Sequence, residues 1–328
     1  MKKSKLFFIL TILCAMLFLV SCSNDTTTPS DNSSEKIEVS VATLKAPTGM
    51  GMVQLMENNS KVNDYQFTLA TAPDDIIGEV IAGNIDIAAV PTNLAATLYQ
   101  RTQGSIEIAA VNTLGVLYIL ENSDSIQGMG DLAGKQILSA GQGTTAEYVI
   151  NYLLTQNGLA LGENVVIDYA SEHAEVATQA QAGNYDVVIL PEPYATSLMT
   201  QDNAFHIAID VTEEWETLGN GALAMGGVIV QKSFAEEHPE ALAAFMEEYQ
   251  DSVDFVNENP TEAATLMETY DIIKADVAEK AIPNCNIVCI TGEEAKTALE
   301  SFYQVLLEAN PQSIGGAMPG DDFYLTNF

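Results

Sequence analysis

Positive charge is scarce in this chain: 12 Lys and Arg stand against 45 Asp and Glu in 328 residues, a formal net charge of −33. A surface this negative repels nucleic-acid phosphates and excludes DNA or RNA as a partner. It also repels anionic lipid headgroups, so membrane attachment needs something other than a basic patch. Four cysteines are too few to build a disulfide scaffold at this length. The sequence has no Gly-x-x-x-x-Gly-Lys-Ser/Thr run, so ATP hydrolysis belongs to another chain. It has no Ser/His/Asp constellation, metal-ligand spacing or nucleophile elbow either. Hydrophobic residues, at 47%, are plentiful, which excludes global disorder, and the length suits two domains.

The N-terminus supplies the attachment that the charge denies. Lys2, Lys3 and Lys5 precede an apolar run from Leu6 to Val20, and Leu19-Val20-Ser21-Cys22 follows. This reads as a signal peptide over 1–21 ending in a lipobox, with Cys22 the lipidated first residue of the mature protein. The run falls short of the roughly 20 residues a bilayer span needs. Acyl chains on one cysteine anchor stably, at about 0.8 kcal/mol per buried methylene. Cleavage removes three lysines and no acid, taking the formal charge from −33 to −36. Residues 22–36 are small and polar and read as a disordered tether.

Beyond 37, strands and helices alternate. Strands are expected at 37–44, 65–70, 85–90 and 106–112, with helices at 48–57, 74–82 and 93–101 between them. The pattern restarts with strands at 135–140, 165–169, 185–190 and 205–210, and helices at 145–157, 173–182 and 194–200. A strand at 225–231 leads into helices at 239–257, 261–270, 275–280 and 293–307. Runs such as Ile85-Asp-Ile-Ala-Ala-Val90 suit strands buried on both faces, as in a parallel sheet covered by helices. Repeated strand–helix units imply an α/β architecture. Cys285 and Cys289 are the remaining cysteines; they either pair through a turn or stay two separate buried thiols.

Residues 82–100 echo in 182–200: seven of 19 positions match without a gap. Each copy reads helix end, Gly turn, Asp, buried strand, Pro, helix start. The echo implies two lobes of like topology. In open α/β sheets ligands bind beyond the carboxyl ends of strands, where helices present free N–H groups. Four such junctions stand out: Lys45-Ala-Pro-Thr-Gly-Met50, Pro91-Thr-Asn93, Gly141-Gln-Gly-Thr-Thr145 and Pro191-Glu-Pro-Tyr194. The candidate ligand-binding residues are Lys45, Pro47, Thr48, Thr92, Asn93, Gln142, Thr144, Thr145, Glu192 and Tyr194. Tyr118 joins them as an apolar wall, and Tyr118, Tyr194 and Trp215 alternatively pack a lobe interface. His173, His206 and His238 read as surface or structural residues.

With these residues in view, the chain resembles the substrate-binding lipoproteins of ABC importers, in the branch of sulfonate, taurine, nitrate and thiamine-pyrimidine-precursor binders. The resemblance rests on Cys22, Lys45-Ala-Pro-Thr-Gly-Met-Gly51, Gly83-Asn-Ile-Asp-Ile-Ala-Ala-Val-Pro91, Asp131-Leu-Ala-Gly-Lys135, Gly183 to Pro193 and Ser313-Ile-Gly-Gly316. It implies a type II periplasmic-binding-protein fold: two α/β lobes joined by two crossover strands, near 113–120 and 221–230, with a ligand cleft between them. Lobe 1 is then 37–117 plus 226–328, and lobe 2 is 118–225.

The resemblance further implies a monomeric, extracytoplasmic, lipid-anchored bacterial protein. It would capture a small molecule by hinge closure and deliver it to a permease served by a separate ATPase. No enzyme activity, cofactor or metal is expected. An enzyme on the same fold and a sensing module for a membrane receptor are the rival classes. In that family anion binders often place a positive or His residue in the cleft; here only Lys45 is so placed. Glu192 suits an amine or protonated ring nitrogen, so the reading leans to a heterocycle such as a thiamine pyrimidine precursor over an alkylsulfonate.

Overall fold

The internal echo turns out to be an echo of sheets. The computed structural model describes residues 36–57 and 60–327; the expected signal peptide, Cys22 and tether residues 22–35 lie outside them. The chain begins with β1 (Ile37–Leu44), α1 (Pro47–Met50), α2 (Val53–Glu57), β2 (Asn63–Ala70), α3 (Asp74–Ala82), β3 (Ile87–Pro91), α4 (Thr92–Arg101) and β4 (Ile106–Thr113). It crosses into β5 (Leu117–Glu121), β6 (Gln136–Ala140), α5 (Thr145–Gln156), β7 (Val166–Ala170), α6 (His173–Gln181), β8 (Val187–Pro191), α7 (Tyr194–Gln201), β9 (His206–Asp210) and α8 (Val211–Thr217). It returns for β10 (Gly226–Gln231), α9 (Lys232–Glu237), α10 (Pro239–Glu258), α11 (Pro260–Thr269), α12 (Ala275–Ala281), β11 (Ile287–Thr291) and α13 (Gly292–Ala309).

One sheet has the order β11-β4-β10-β3-β1-β2, the other β7-β6-β8-β5-β9. Each of β2, β1, β3, β10 and β4 has its counterpart in β7, β6, β8, β5 and β9. The register agrees: Val41 pairs with Ile87 and Ala42 with Ala88 in the first sheet, Ile137 with Val187 and Leu138 with Val188 in the second. Gly83 and Gly183 both take positive φ, 76° and 72°, as helix-ending turns require. After β3, Thr92 N–H donates to Met225 O at 3.1 Å; after β8, Glu192 N–H donates to Val116 O at 2.9 Å.

The expectation of parallel sheets needs correction. β10 runs antiparallel between β3 and β4, and β5 antiparallel between β8 and β9. Each is the strand arriving from the other lobe. It enters beside the carboxyl end of β3 or β8, opposite Pro91 or Pro191, and can only run backwards. The helix expected at 48–57 is also divided into α1 and α2. Gly49 and Gly51 are poor helix formers, and Met52 N–H tightens onto Gly49 O at 3.0 Å. Gly49 is obligatory: a Cβ there would sit 2.3 Å from Leu44 O. β11 was not foreseen; it is a short edge strand with an irregular register against β4.

Alternate residues of the first sheet feed two cores. Val39, Val41, Ile87, Val228 and Val230 pack with Phe245 and Tyr249 of α10. Ala42, Ala88, Val90, Ile108 and Ile229 face the other way, into a cluster that continues through Ile119 and Leu153 of the second lobe. Trp215 joins the lobes, its ring centroid 5.3 Å from Phe302 and 5.4 Å from Tyr152. Cys285 and Cys289 are free thiols, and burial raises the pKa of both. Cys285 closes a turn and Cys289 lies inside β11, so extended backbone carries them apart. No helix among the described residues is long and apolar enough to cross a membrane.

Candidate functional site

The carboxyl ends of β1, β3, β6 and β8 meet around a cleft of about 890 Å³, its opening included. Two further strand ends reach it: Thr71–Pro73 after β2 and Ser171–His173 after β7. These are again a pair 100 residues apart. Ala72 N–H donates to the Asp75 carboxylate at 3.1 Å, and Ser171 N–H to the Glu175 carboxylate at 3.1 Å. The lining is mainly apolar, with Pro47, Pro73, Pro91 and Pro191 among its residues. Proline has no N–H, so these junctions offer a ligand fewer backbone donors than helix starts usually do.

Of the residues singled out from sequence, Lys45, Pro47, Thr48, Thr144, Thr145 and Tyr194 line this cleft. The Lys45 ammonium lies 2.7 Å from the Asp271 carboxylate and holds its pKa below the usual range. Asp271 is almost fully exposed, so the pair is a weak one. Thr92 and Asn93 lie a layer behind. Thr92 Oγ1 donates to Ala224 O at 2.6 Å. The Asn93 amide donates to Gly143 O at 3.0 Å and accepts from Thr145 Oγ1 at 2.9 Å, tying α4 to the start of α5. Tyr118 is buried on β5, and Gln142 is exposed on its loop; neither lines the cleft. Glu192 turns inward and is fully buried. Its carboxylate accepts from Thr196 Oγ1 at 2.8 Å and Thr196 N–H at 3.1 Å; burial raises its pKa against those bonds.

His173 is the residue that sequence reasoning passed over. It lines the cleft and its ring lies 5.3 Å, centroid to centroid, from that of Tyr194. Its Nδ1 is enclosed without a hydrogen-bond partner, although part of the residue reaches the surface. Burial pushes its pKa from 6.5 down to about 4, so the ring is neutral at physiological pH. The signal was available: His173 follows β7 as Pro73 follows β2, and strand ends of one sheet share one rim. Thr48 Oγ1 is likewise buried and unpartnered. The lobes also touch across the opening, where Tyr194 OH donates to Lys45 O at 3.1 Å. Among the described residues no group of three or more His, Cys, Asp or Glu is placed to hold a metal ion.

Two lobes of matching topology around a cleft of strand ends and helix starts define a ligand-binding body. The family described as "ABC transporter, phosphonate, periplasmic substrate-binding protein" matches residues 51–279, and the chain belongs to this family of ABC-transporter substrate-binding proteins. Solved structures share the fold. An ABC transporter protein from Parabacteroides distasonis has a TM-score of 0.75 at 22% identity, over 90% of this chain and all of its own. The periplasmic aliphatic sulphonate binding protein SsuA of Escherichia coli has 0.69 at 16%, over 88% of this chain and 96% of its own. The periplasmic nitrate-binding protein NrtA of Synechocystis PCC 6803 has 0.62 at 12%, over 85% of this chain and 84% of its own. No curated protein matches the sequence. The family is one of transport, and membership places the chain among proteins that work outside the cytoplasm with a small-molecule ligand and a permease partner.

Proposed function

We propose that this chain is the solute-binding lipoprotein of an ABC importer, anchored through Cys22, that captures a small ring-bearing organic molecule. A lobe of 37–117 with 226–328 closes on a lobe of 118–225, and the loaded monomer docks on its permease. The observation that carries the ligand class is the His173–Tyr194 pair, two neutral rings forming one wall of a largely apolar cleft. A planar heterocycle stacks on such a wall. The hydrogen bond from Tyr194 to Lys45 supports closure, since it joins the two lobes at the opening.

A second reading takes an anionic head group, as the phosphonate description of the family and the sulphonate and nitrate of the structural neighbours suggest. It is favoured by Thr144, Thr145 and Ala146 at the start of α5, and Ser171 and Glu172 at the start of α6, all on the cleft wall. Helix N-termini hold anions without arginine. Against it, Lys45 is the one Lys or Arg among the described lining residues, and it is paired with Asp271.

Isothermal titration with an aminopyrimidine thiamine precursor, an alkylsulfonate and an alkylphosphonate separates the two. Binding of the aminopyrimidine alone supports the heterocycle. Tight binding of either anion with none of the aminopyrimidine overturns it. The anchor is checked by fractionating cells that express Cys22→Ser, which should move from membrane to soluble fraction.

A further inference from the structure

Asn93 spends its carboxamide on three separate segments of the chain. Its Nδ2 donates to Gly143 O at 3.0 Å and to Ser313 O at 3.3 Å, and its Oδ1 accepts from Thr145 Oγ1 at 2.9 Å. Its backbone N–H also donates to Thr145 Oγ1, at 3.3 Å. Asn93 opens α4 behind β3 of the first sheet, whereas Gly143 and Thr145 stand behind β6 of the second. The bonds therefore run from one lobe to the other. Asn93 is 3% exposed and Thr145 1%, so water does not compete for them.

The third partner orients the amide from its own side. Ser313 belongs to the Ser313-Ile-Gly-Gly316 motif, which does not line the cleft. Its turn packs closely on α4: a Cβ at Gly315 would stand 3.0 Å from Gln100 Cγ and 3.3 Å from Thr97 Cα. Thr97 Oγ1 donates to Asn93 O at 3.0 Å in the same place. The echo shows that this device is not repeated. Position 93 falls on Pro193 in the second copy, which has no amide to offer. There the next residue, Tyr194, reaches Lys45 O behind β1, the counterpart of β6.

Asn93 does not line the cleft, but Thr144, Thr145 and Ala146, which it holds, do. We propose that Asn93, seated by the Ser313–Gly316 turn, is a positioning residue for ligand capture: a latch between the lobes that favours the closed form without touching the ligand. This rests on the lobe closure proposed above. The latch joins protein atoms only, so its contribution to closure is the same for every ligand. Apparent affinity scales with the population of the binding-competent form. Asn93 therefore sets how tightly the protein binds, and the cleft wall sets what it binds.

Small-angle scattering of the ligand-free chain, followed by calorimetry, tests this with Asn93→Ala. Thr145→Val, which removes the bridging hydroxyl at nearly constant volume, serves should Asn93→Ala fail to fold. Either variant should be more expanded than wild type without ligand and as compact as wild type when saturated. For Asn93→Ala, affinity should fall about tenfold, by one common factor for the aminopyrimidine, the alkylsulfonate and the alkylphosphonate, whichever of them bind. Ligand-free dimensions equal to wild type overturn the latch. So does a variant that stays expanded at saturation, since Asn93 then only supports the fold. A loss for Asn93→Ala that differs between probes also overturns it, since Asn93 then acts as a ligand contact. If no probe binds the wild type, the ligand class falls, and the ligand-free scattering alone decides the latch.

Discussion

Tyr194, at the first position of α7, donates its phenolic proton to the carbonyl oxygen of Lys45, just beyond β1, at 3.1 Å. One side chain of the second sheet's lobe thus closes on the backbone of the first, and its ring lies beside His173 as it does so. The bond and the ring contact share one residue.

Tyr194→Phe keeps the ring and removes the bond. A net hydrogen bond contributes about 0.5–1.5 kcal/mol, so affinity should fall about two- to tenfold. Calorimetry gives the affinity, and small-angle scattering with ligand present gives the compaction. Unchanged values in both would remove this bond from the closing mechanism.

His173 should behave as a neutral imidazole well below its usual pKa. Its folded pKa of about 4 lies beneath the unfolded 6.5. The unfolded state therefore takes up its proton first, and stability falls as pH drops from about 6.5 to about 4. His173→Asn should cancel that loss, so the variant gains on the wild type across this window. An NMR titration placing the His173 midpoint near 6.5 would refute it.

Glu192 should act in the opposite sense. Burial raises its folded pKa above 4.5, so the folded state holds its proton more firmly. Its contribution is fully present below pH 4.5 and is lost as pH rises through the raised value. Thermal melts of wild type and Glu192→Gln should show the wild type's relative advantage shrinking over that rise. A difference that stays constant with pH would contradict the inward carboxylate.

Gly115 should tolerate no side chain. It stands in the first crossover, where an added Cβ would lie 2.1 Å from Thr212 Oγ1 and 2.8 Å from Thr212 Cγ2. Gly115→Ala should destabilise by about 1–3 kcal/mol in urea unfolding, as overpacking does. Thr212→Ala in the same chain removes the two nearest atoms but keeps Thr212 Cβ at 2.9 Å, so it should recover part of the loss. A Gly115→Ala protein of unaltered midpoint would show that this crossover has room.

Much of the molecule was legible before any coordinates. β1 and α3 begin and end where alternation, Gly83 and the acidic first turn say they should. The Gly-Asn turns at 83 and 183 and the prolines at 91 and 191 mark equivalent places in two sheets, because each does the same local work in both. The site was legible only as a rim. Strand ends point to Lys45, Thr48 and Thr145, yet Glu192 at such an end folds its carboxylate back onto Thr196. Nothing local distinguishes those outcomes, since a short polar side chain after a strand serves equally as a cap or as a contact.

The sequence by itself determined the two-lobe plan and its strand-end rim, because hydrophobic period, glycine turns and prolines act over a few residues and repeat visibly. It determined the excess of negative charge as well, which needs only counting. Tertiary structure alone decided the sense of β5 and β10, the burial that keeps His173 neutral, and the meeting of Tyr194 with Lys45. Those follow from which surfaces come together across long sequence separations. Burial and unpaired polar atoms are properties of the packed interior, and no stretch of chain carries them before it packs.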